Sequence, residues 1–398
     1  MRKFFTPILL SFLILVSFMA AFNVVLASDL VADSWNVKAS MSQARWSLGV
    51  VAVDGKIYAI GGSTVNDGYN SGVVGTNERY DPVTNTWTTL VAMPTPRYGF
   101  AIAAYQGKIY CMGGTPYVEA DMKPRYDIVE VYDIATDSWS TKSNMPFRAG
   151  GLHGHVVNGK IFVINGNAFF MYDPVTDEWT RKPDVPIYFF YLASVVVDDE
   201  IILTGGFIIA TYPTYPTVQY APKAVIYNVE TDEWREGKTE TTLSCANDNA
   251  GATTGVHAPQ KIYVFSGSNN NLIYDPALDT WSTANAMPSN RSHFGVAVID
   301  DVLYVIGGLD YDLVTALAIN EQYIPIGYHD TLPPVTSPPT PSESSDVFVS
   351  SEPEPSETSR SFLTDFVGAV LVLVAGLVLV GVFLYFRRSG KIKRPVDG

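Results

Sequence analysis

The sequence predicts an all-β protein built from six copies of one sheet-forming unit, and three observations carry that reading. A β-branched and aromatic segment ending in glycine recurs six times, as DGKIYAIGG (54–62), QGKIYCMGG (106–114), NGKIFVING (158–166), DDEIILTGG (198–206), PQKIYVFSG (259–267) and DDVLYVIGG (300–308). A second segment, in which Tyr precedes Trp by seven positions, recurs as YDPVTNTW (80–87), YDIATDSW (132–139), YDPVTDEW (172–179), YNVETDEW (227–234) and YDPALDTW (274–281). The glycine positions return every 40 to 61 residues, the spacing of a unit that stacks on its neighbours rather than folding alone.

Each element of the repeat has a physical reason. IYAIGG is rich in β-branched and aromatic side chains and predicts a strand. Asp54-Gly55 before it is a two-residue hairpin signal that joins it to the apolar run LGVVAV. The glycine pair leaves room for a neighbouring backbone to approach. Asp81-Pro82 and Thr84-Asn85 supply turn chemistry leading into the Trp87 strand. One repeat is thus four antiparallel strands, a to d from the inside out, with a large aromatic on d that must be buried against the next unit.

These motifs resemble the kelch-repeat family over about three-quarters of the chain. The resemblance implies a six-bladed kelch β-propeller over residues 28–329. Residues 28–41 carry Trp35 with no strand before it, whereas the sixth repeat reaches Tyr323 with no Trp seven residues on. The two fragments complete each other, so an N-terminal strand is expected to close the last blade. Six inner motifs then match six outer tryptophans, and Trp46 is left outside the pattern.

The ends of the chain read differently. Arg2 and Lys3 precede an apolar run from Phe4 to Leu26 and small residues near Ala27, so residues 1–27 are expected to be a signal peptide. Residues 330–361 turn to Pro, Ser, Thr and Glu, which cannot bury enough apolar surface to fold, and are expected to form a disordered stalk. Residues 362–386 contain an uncharged run from Val367 to Phe386, long enough for one transmembrane helix. The basic tail 387–398 follows it and is expected in the cytoplasm. The expected localisation is the cell membrane, single-pass, with the propeller outside.

Between Ser28 and Ser361 there are 19 Lys and Arg against 38 Asp and Glu, a balance of −19 that argues against nucleic acid as a partner. Cys111 and Cys245 are too few for a disulfide scaffold, and their places on nearly opposite blades argue against a bridge.

Candidate site residues follow from what varies between repeats. Loops b–c and d–a share one face, here called the top. The b–c segments 63–75, 115–126 and 207–217 are long and carry Tyr69, Tyr117 and Tyr215, and Tyr311 lies in the corresponding segment of the sixth repeat. In the d–a loops, Met41, Met93, Met145 and Met287 are each followed three or four residues later by Arg45, Arg97, Arg148 or Arg291. The kelch resemblance implies that arginines at this position line the ligand face near the channel mouth, where guanidinium groups would suit an anionic ligand. The alternative is that each Arg ties its own loop to backbone carbonyls or a carboxylate. Tyr188-Phe189-Phe190-Tyr191 offers an aromatic platform, and His153-Gly154-His155 places two imidazoles on one side of a strand.

The expected function is a cell-surface, membrane-anchored interaction module, not an enzyme, which recognises a protein or glycan through the loop face and needs no cofactor. The alternatives are an epimerase-like kelch enzyme acting on an anionic sugar in the channel, a galactose-oxidase-like copper enzyme, or a surface-layer or adhesion component without a small ligand.

Overall fold

The computed structural model describes residues 31–65, 72–116, 125–211, 216–220, 223–240, 250–267, 269–278, 280–310 and 312–329. The expected signal peptide, stalk, transmembrane helix and cytoplasmic tail lie outside them, as do Cys245, Tyr69, Tyr117, Tyr215 and Tyr311. Among the described residues every regular element is a strand, and no helix is long and apolar enough to cross a membrane.

The strands form six four-stranded antiparallel sheets among the described residues. Sheet 1 runs Gly49–Val53, Lys56–Ile60, Asn77–Asp81 and Thr86–Leu90. Sheets 2 to 5 repeat that order, starting at Ala101, His153, Ala193 and Ala250. Sheet 6 takes Gly295–Ile299, Val302–Ile306 and Asn320–Ile324 from one end of the chain, and Ser34–Lys38 from the other. The register pairs Trp35 with Tyr323, the same pairing that Trp87 makes with Tyr80 and Trp139 with Tyr132.

The hairpins between strands a and b follow their sequence signal. Asp54-Gly55, Gln106-Gly107 and Asn158-Gly159 have positive φ at both residues, the type I′ turn that matches the strands' twist. Sheet 6 uses Asp300-Asp301 with φ of 49° and 64°, so a non-glycine residue sits where sheets 1 to 3 have Gly. The Asp301 carboxylate accepts hydrogen bonds from Gly255, Val256, His257 and Ala258 N–H, at 3.0, 2.6, 2.5 and 2.8 Å, in the long a–b loop of sheet 5. Those bonds offset the strained backbone and tie two sheets together.

Each sheet packs both faces. The buried apolar residues fall into six clusters, each joining one sheet to the next, and one of them joins sheet 6 to sheet 1 through Ile57, Tyr80, Tyr304 and Ile324. Burying one such large side chain contributes about 1.5–3 kcal/mol. Cys111 is free and fully buried in one cluster, where burial pushes its thiol up to about 12 and leaves it unreactive.

A polar seam runs along the bottom. Among the described residues, the position two before an outer Trp holds Asp33, Asn85, Asp137, Asp177 or Asp232, all with positive φ. Asn85 Oδ1 accepts Tyr80 OH at 2.7 Å and Ala39 N–H at 2.9 Å, and Trp87 Nε1 donates to Ala39 O at 2.7 Å. Asp137 and Asp177 repeat this with Tyr132 and Val91, and with Tyr172 and Ser143. Asp33 does the same for Tyr323 (2.8 Å) and Asn285 N–H (2.9 Å). The terminal strand therefore carries the same latch as the internal ones.

The glycine pairs make room for the d–a loop of the following sheet. A Cβ on Gly61 (φ 62°) would stand 2.7 Å from Arg97 O, and Gly62 N–H donates to that carbonyl at 3.0 Å. Gly307 and Gly308 receive Arg45 O in the same way.

Two small sheets add to the top. Phe189–Phe190, Phe207–Thr211 and Pro216–Tyr220 form one, so the long b–c segment of sheet 4 is a hairpin. Arg291–Ser292, Leu309–Asp310 and Thr315–Ala316 form the other, above sheet 6.

Candidate functional site

The d–a loops share a template that the sequence conceals by one residue. Counting from the buried Met, the fourth residue on is Arg45, Arg97, Ala149 or Arg291. All four turn inward and are almost wholly buried. Arg148 is the third residue after its Met, points out, and has a side chain 74% exposed beside Asp127.

The three buried arginines are therefore not a rim of free guanidinium groups, which corrects the expectation for Arg45, Arg97 and Arg291. Each closes on a glutamate of strand c in the sheet that follows its loop. Arg45 Nη2 donates to Glu78 Oε2 at 2.6 Å, and its Nη1 to Gly61 O and Thr76 O at 2.8 and 3.0 Å. Arg97 bonds Glu130 and donates to Cys111 O at 2.9 Å, whereas Arg291 bonds Glu321 at 2.5 Å and Val305 O at 3.1 Å. The glutamate stands two residues before the strand-c tyrosine in sheets 1 and 2, and two before Tyr323 in sheet 6. Sheet 3 has Phe170 there and Ala149 opposite, and Phe147 stacks on Phe170 at 4.6 Å instead. Arginine and glutamate come and go together along this chain because either one buried alone would be an uncompensated charge.

In two of these loops the residue after the buried Arg is carried to the mouth. Trp46 and Tyr98 occupy that place, and their rings lie 5.3 Å apart. Trp46 is 7% exposed, donates from Nε1 to Val65 O at 3.0 Å, and meets His293 edge-on at 5.3 Å. One residue further, the backbone turns left-handed in five of the loops, at Ser47, Gly99, Gly151, Tyr191 and His293, with φ between 48° and 71°. Backbone hydrogen bonds link these turns: Ser47 N–H to His293 O (2.7 Å), Gly99 N–H to Ser47 O (2.9 Å) and Gly151 N–H to Gly99 O (2.7 Å).

A cavity of about 460 Å³ opens here. Its wall includes Trp46, Tyr98, Tyr188, Tyr191 and His293, with Arg125, Asn165 and Thr115 from the b–c side. Tyr188 and Tyr191 are about half exposed, at 46% and 52%. Tyr188 lies against Gly166, where an added Cβ would meet its ring at 2.6 Å. Of the predicted residues, the structure brings Tyr188 to this cavity and leaves Arg148 on the open loop surface. Tyr191, from the same aromatic platform, joins it, whereas Trp46, Tyr98 and His293 were not among the predicted site residues. Their signal is positional: Trp46 was the tryptophan outside the repeat pattern, and it follows a motif arginine.

Beneath the mouth a second cavity of about 520 Å³ runs between the innermost strands of all six sheets. Leu152, His153 and Phe294 line both cavities. The lower wall is Gly, Ala, Val, Leu, Ile and Phe, except for Thr253 and a cluster of His153, His155 and Ser194. Ser194 Oγ lies 2.9 Å from His153 Nδ1 and 2.8 Å from His155 Nε2. Burial, and then the neighbouring His153, pulls the His155 pKa down to about 3, so its ring is neutral near pH 7. Among the described residues no three His, Cys, Asp or Glu side chains gather where they could hold a metal ion.

Comparison with known proteins fits this architecture. The kelch motif model matches residues 47–94, 96–146 and 290–326. The Aspergillus terreus protein named Kelch-like protein terF is 29% identical over 265 residues, which is 64% of this chain and 48% of that protein. Kelch-like protein 35 of Mus musculus is 31% identical over 134 residues, 34% of this chain and 22% of that protein. The chain thus spans less than half the length of these relatives. Among solved structures, that of YjhT aligns with a TM-score of 0.54 and 16% identity over 71% of this chain and 96% of that one, a likeness of fold alone. A Danio rerio relative, Kelch-like protein 15, is 26% identical over 59% of this chain and 34% of that protein. Three segments of this chain thus match the kelch motif, and the relatives it resembles over part of its length are kelch-like proteins.

Proposed function

We propose that this chain is a non-catalytic binding module that holds a protein or glycan partner at the mouth of a six-bladed propeller. In this reading the N-terminal strand closes the ring, residues 1–27 direct export, and residues 330–386 form a stalk and membrane anchor that present the mouth outside the cell. Kelch-repeat proteins generally mediate protein–protein interaction.

One observation carries the proposal. The left-handed position of the d–a loops holds Gly99 and Gly151 in two loops but Tyr191 and His293 in two others. A non-glycine residue in that conformation costs about 1 kcal/mol or more, and such strain clusters at sites where a side chain is needed for binding. Both side chains line the 460 Å³ cavity rather than a core. The chain also leaves the sheets through Ile326–His329, where His329 N–H donates to His257 O in an a–b loop on the bottom. The mouth therefore opens on the face away from that exit.

Replacing Tyr191 by Gly in the full-length protein tests the idea. The strain argument expects unchanged or slightly higher thermal stability together with weakened capture of peptides or glycans on an array. A variant that melts lower and binds as before would mean that Tyr191 serves the fold.

A further inference from the structure

The first strands of the six sheets can be compared position by position, because each pairs with its second strand in the same register. The residue opposite Ile60 and its equivalents is Gly49, Ala101, Ala193, Ala250 or Gly295 in five sheets. In sheet 3 it is His153. Two residues further on, Val51, Ala103, Val195, Ala252 and Ala297 are replaced in sheet 3 by His155. The place between these two holds Val50, Ile102 and Val296 in sheets 1, 2 and 6, but Ser194 in sheet 4. Packing around the axis asks only for small apolar side chains. Three departures from that rule, on two neighbouring sheets, meet at one hydroxyl within 2.9 Å.

A serine hydroxyl has one proton, so it donates to one imidazole and accepts from the other. The cluster can thus offer a donor and an acceptor side by side to a group entering from above. His153 also lines the mouth, which makes the cluster its floor. The walls above are aromatic, and the guanidinium groups of Arg45, Arg97 and Arg291 are closed on glutamates inside the sheets. Among the described residues lining the mouth, Arg125 is the one permanent cation, and it is exposed, where its charge is screened.

We propose that the mouth and its His153–Ser194–His155 floor form one site for an uncharged carbohydrate, whose hydroxyls engage the floor while its C–H faces lie on the aromatic wall. Vicinal sugar hydroxyls donate and accept at once, as the floor does, and the half-exposed rings of Tyr188 and Tyr191 offer flat apolar surfaces. A volume of about 460 Å³ falls within the range of small-ligand sites and has room for roughly one or two sugar rings. This proposal rests on the reading that the mouth is the binding site, and it names the ligand class.

The test is an array of neutral and acidic oligosaccharides probed with the full-length protein, with each hit then titrated calorimetrically. Ser194→Val and His155→Val install the residues that sheet 1 carries at those places, so the scaffold's own packing is kept. The expected result is binding of neutral oligosaccharides that survives 0.5 M salt and falls by about tenfold or more in each variant. Binding restricted to acidic glycans, loss of binding in salt, or wild-type affinity in both variants would overturn the proposal. If no glycan binds, but a peptide library yields a ligand that Tyr191→Gly loses, the mouth is the site and the carbohydrate assignment is wrong. If a bound glycan is unaffected by Tyr191→Gly and by both floor variants, the mouth reading falls as well.

Discussion

Removing the Glu130 carboxylate while keeping Arg97 should be among the most damaging single changes outside the aromatic core. The Arg97 guanidinium is fully buried, and Glu130 is its one charged partner among the described residues. Glu130 also accepts the Thr95 hydroxyl at 2.8 Å. Glu130→Leu therefore leaves a buried cation and an unpaired hydroxyl, a loss of about 3–5 kcal/mol. With an unfolding entropy of about 2.1 cal/mol/K per residue over roughly 300 residues, that corresponds to a Tm lower by about 5–8 °C. Adding Arg97→Met should recover most of the loss, because apolar side chains of similar volume commonly replace a buried pair at little cost. Sheet 3 already shows the apolar solution, with Ala149 and Phe170 at the equivalent places. Urea and thermal unfolding of the wild type, Glu130→Leu and the double variant would decide. The reasoning fails if the single variant is as stable as the double one, because Arg97 would then have found water or another partner.

Three further outcomes are expected. Deleting residues 28–41 removes the partner of Asn320–Ile324 and the Asp33 and Trp35 latch, so the remainder should aggregate through its unpaired edge; a truncated protein that melts cooperatively at the wild-type temperature would refute this. Asp301→Ala orphans four backbone N–H groups and should cost about 2–4 kcal/mol in urea unfolding, with faster hydrogen exchange confined at first to residues 254–260. Hydrogen bonds from Lys56, Lys108, Lys160 and Lys261 hold Asp81, Asp133, Asp173 and Asp275 below the ordinary carboxylate range. A carboxylate with a depressed folded pKa contributes stability that is present above about pH 4 and lost as pH falls through the folded value. Urea midpoints should thus stay level from pH 7 to about 5 and drop below about 4, and a midpoint constant down to pH 3 would contradict the assignment.

The sequence by itself determined the repeat, its four strands, the hairpin turns, and the pairing of Trp35 with the last unit. These follow from short-range patterns: alternation within a strand, Asp-Gly and Asn-Gly at a turn, and a Tyr and Trp whose spacing sets the register of strands c and d. The site was less legible. Arg45, Arg97, Arg148 and Arg291 look alike in sequence, yet three are buried ion pairs and one is on the surface. The outcome depends on a one-residue offset from the preceding Met and on a glutamate some 30 residues away, seen only once strand c lies beside the loop. Trp46, Tyr191 and His293 belong to loops about 100 to 250 residues apart in the chain, and His153 and Ser194 to different sheets. Local periodicity fixes which way a strand residue points, because the pleat alternates strictly. Where a loop side chain ends up depends on the path its backbone takes over a neighbouring sheet, and that path exists only once the sheets are packed against one another.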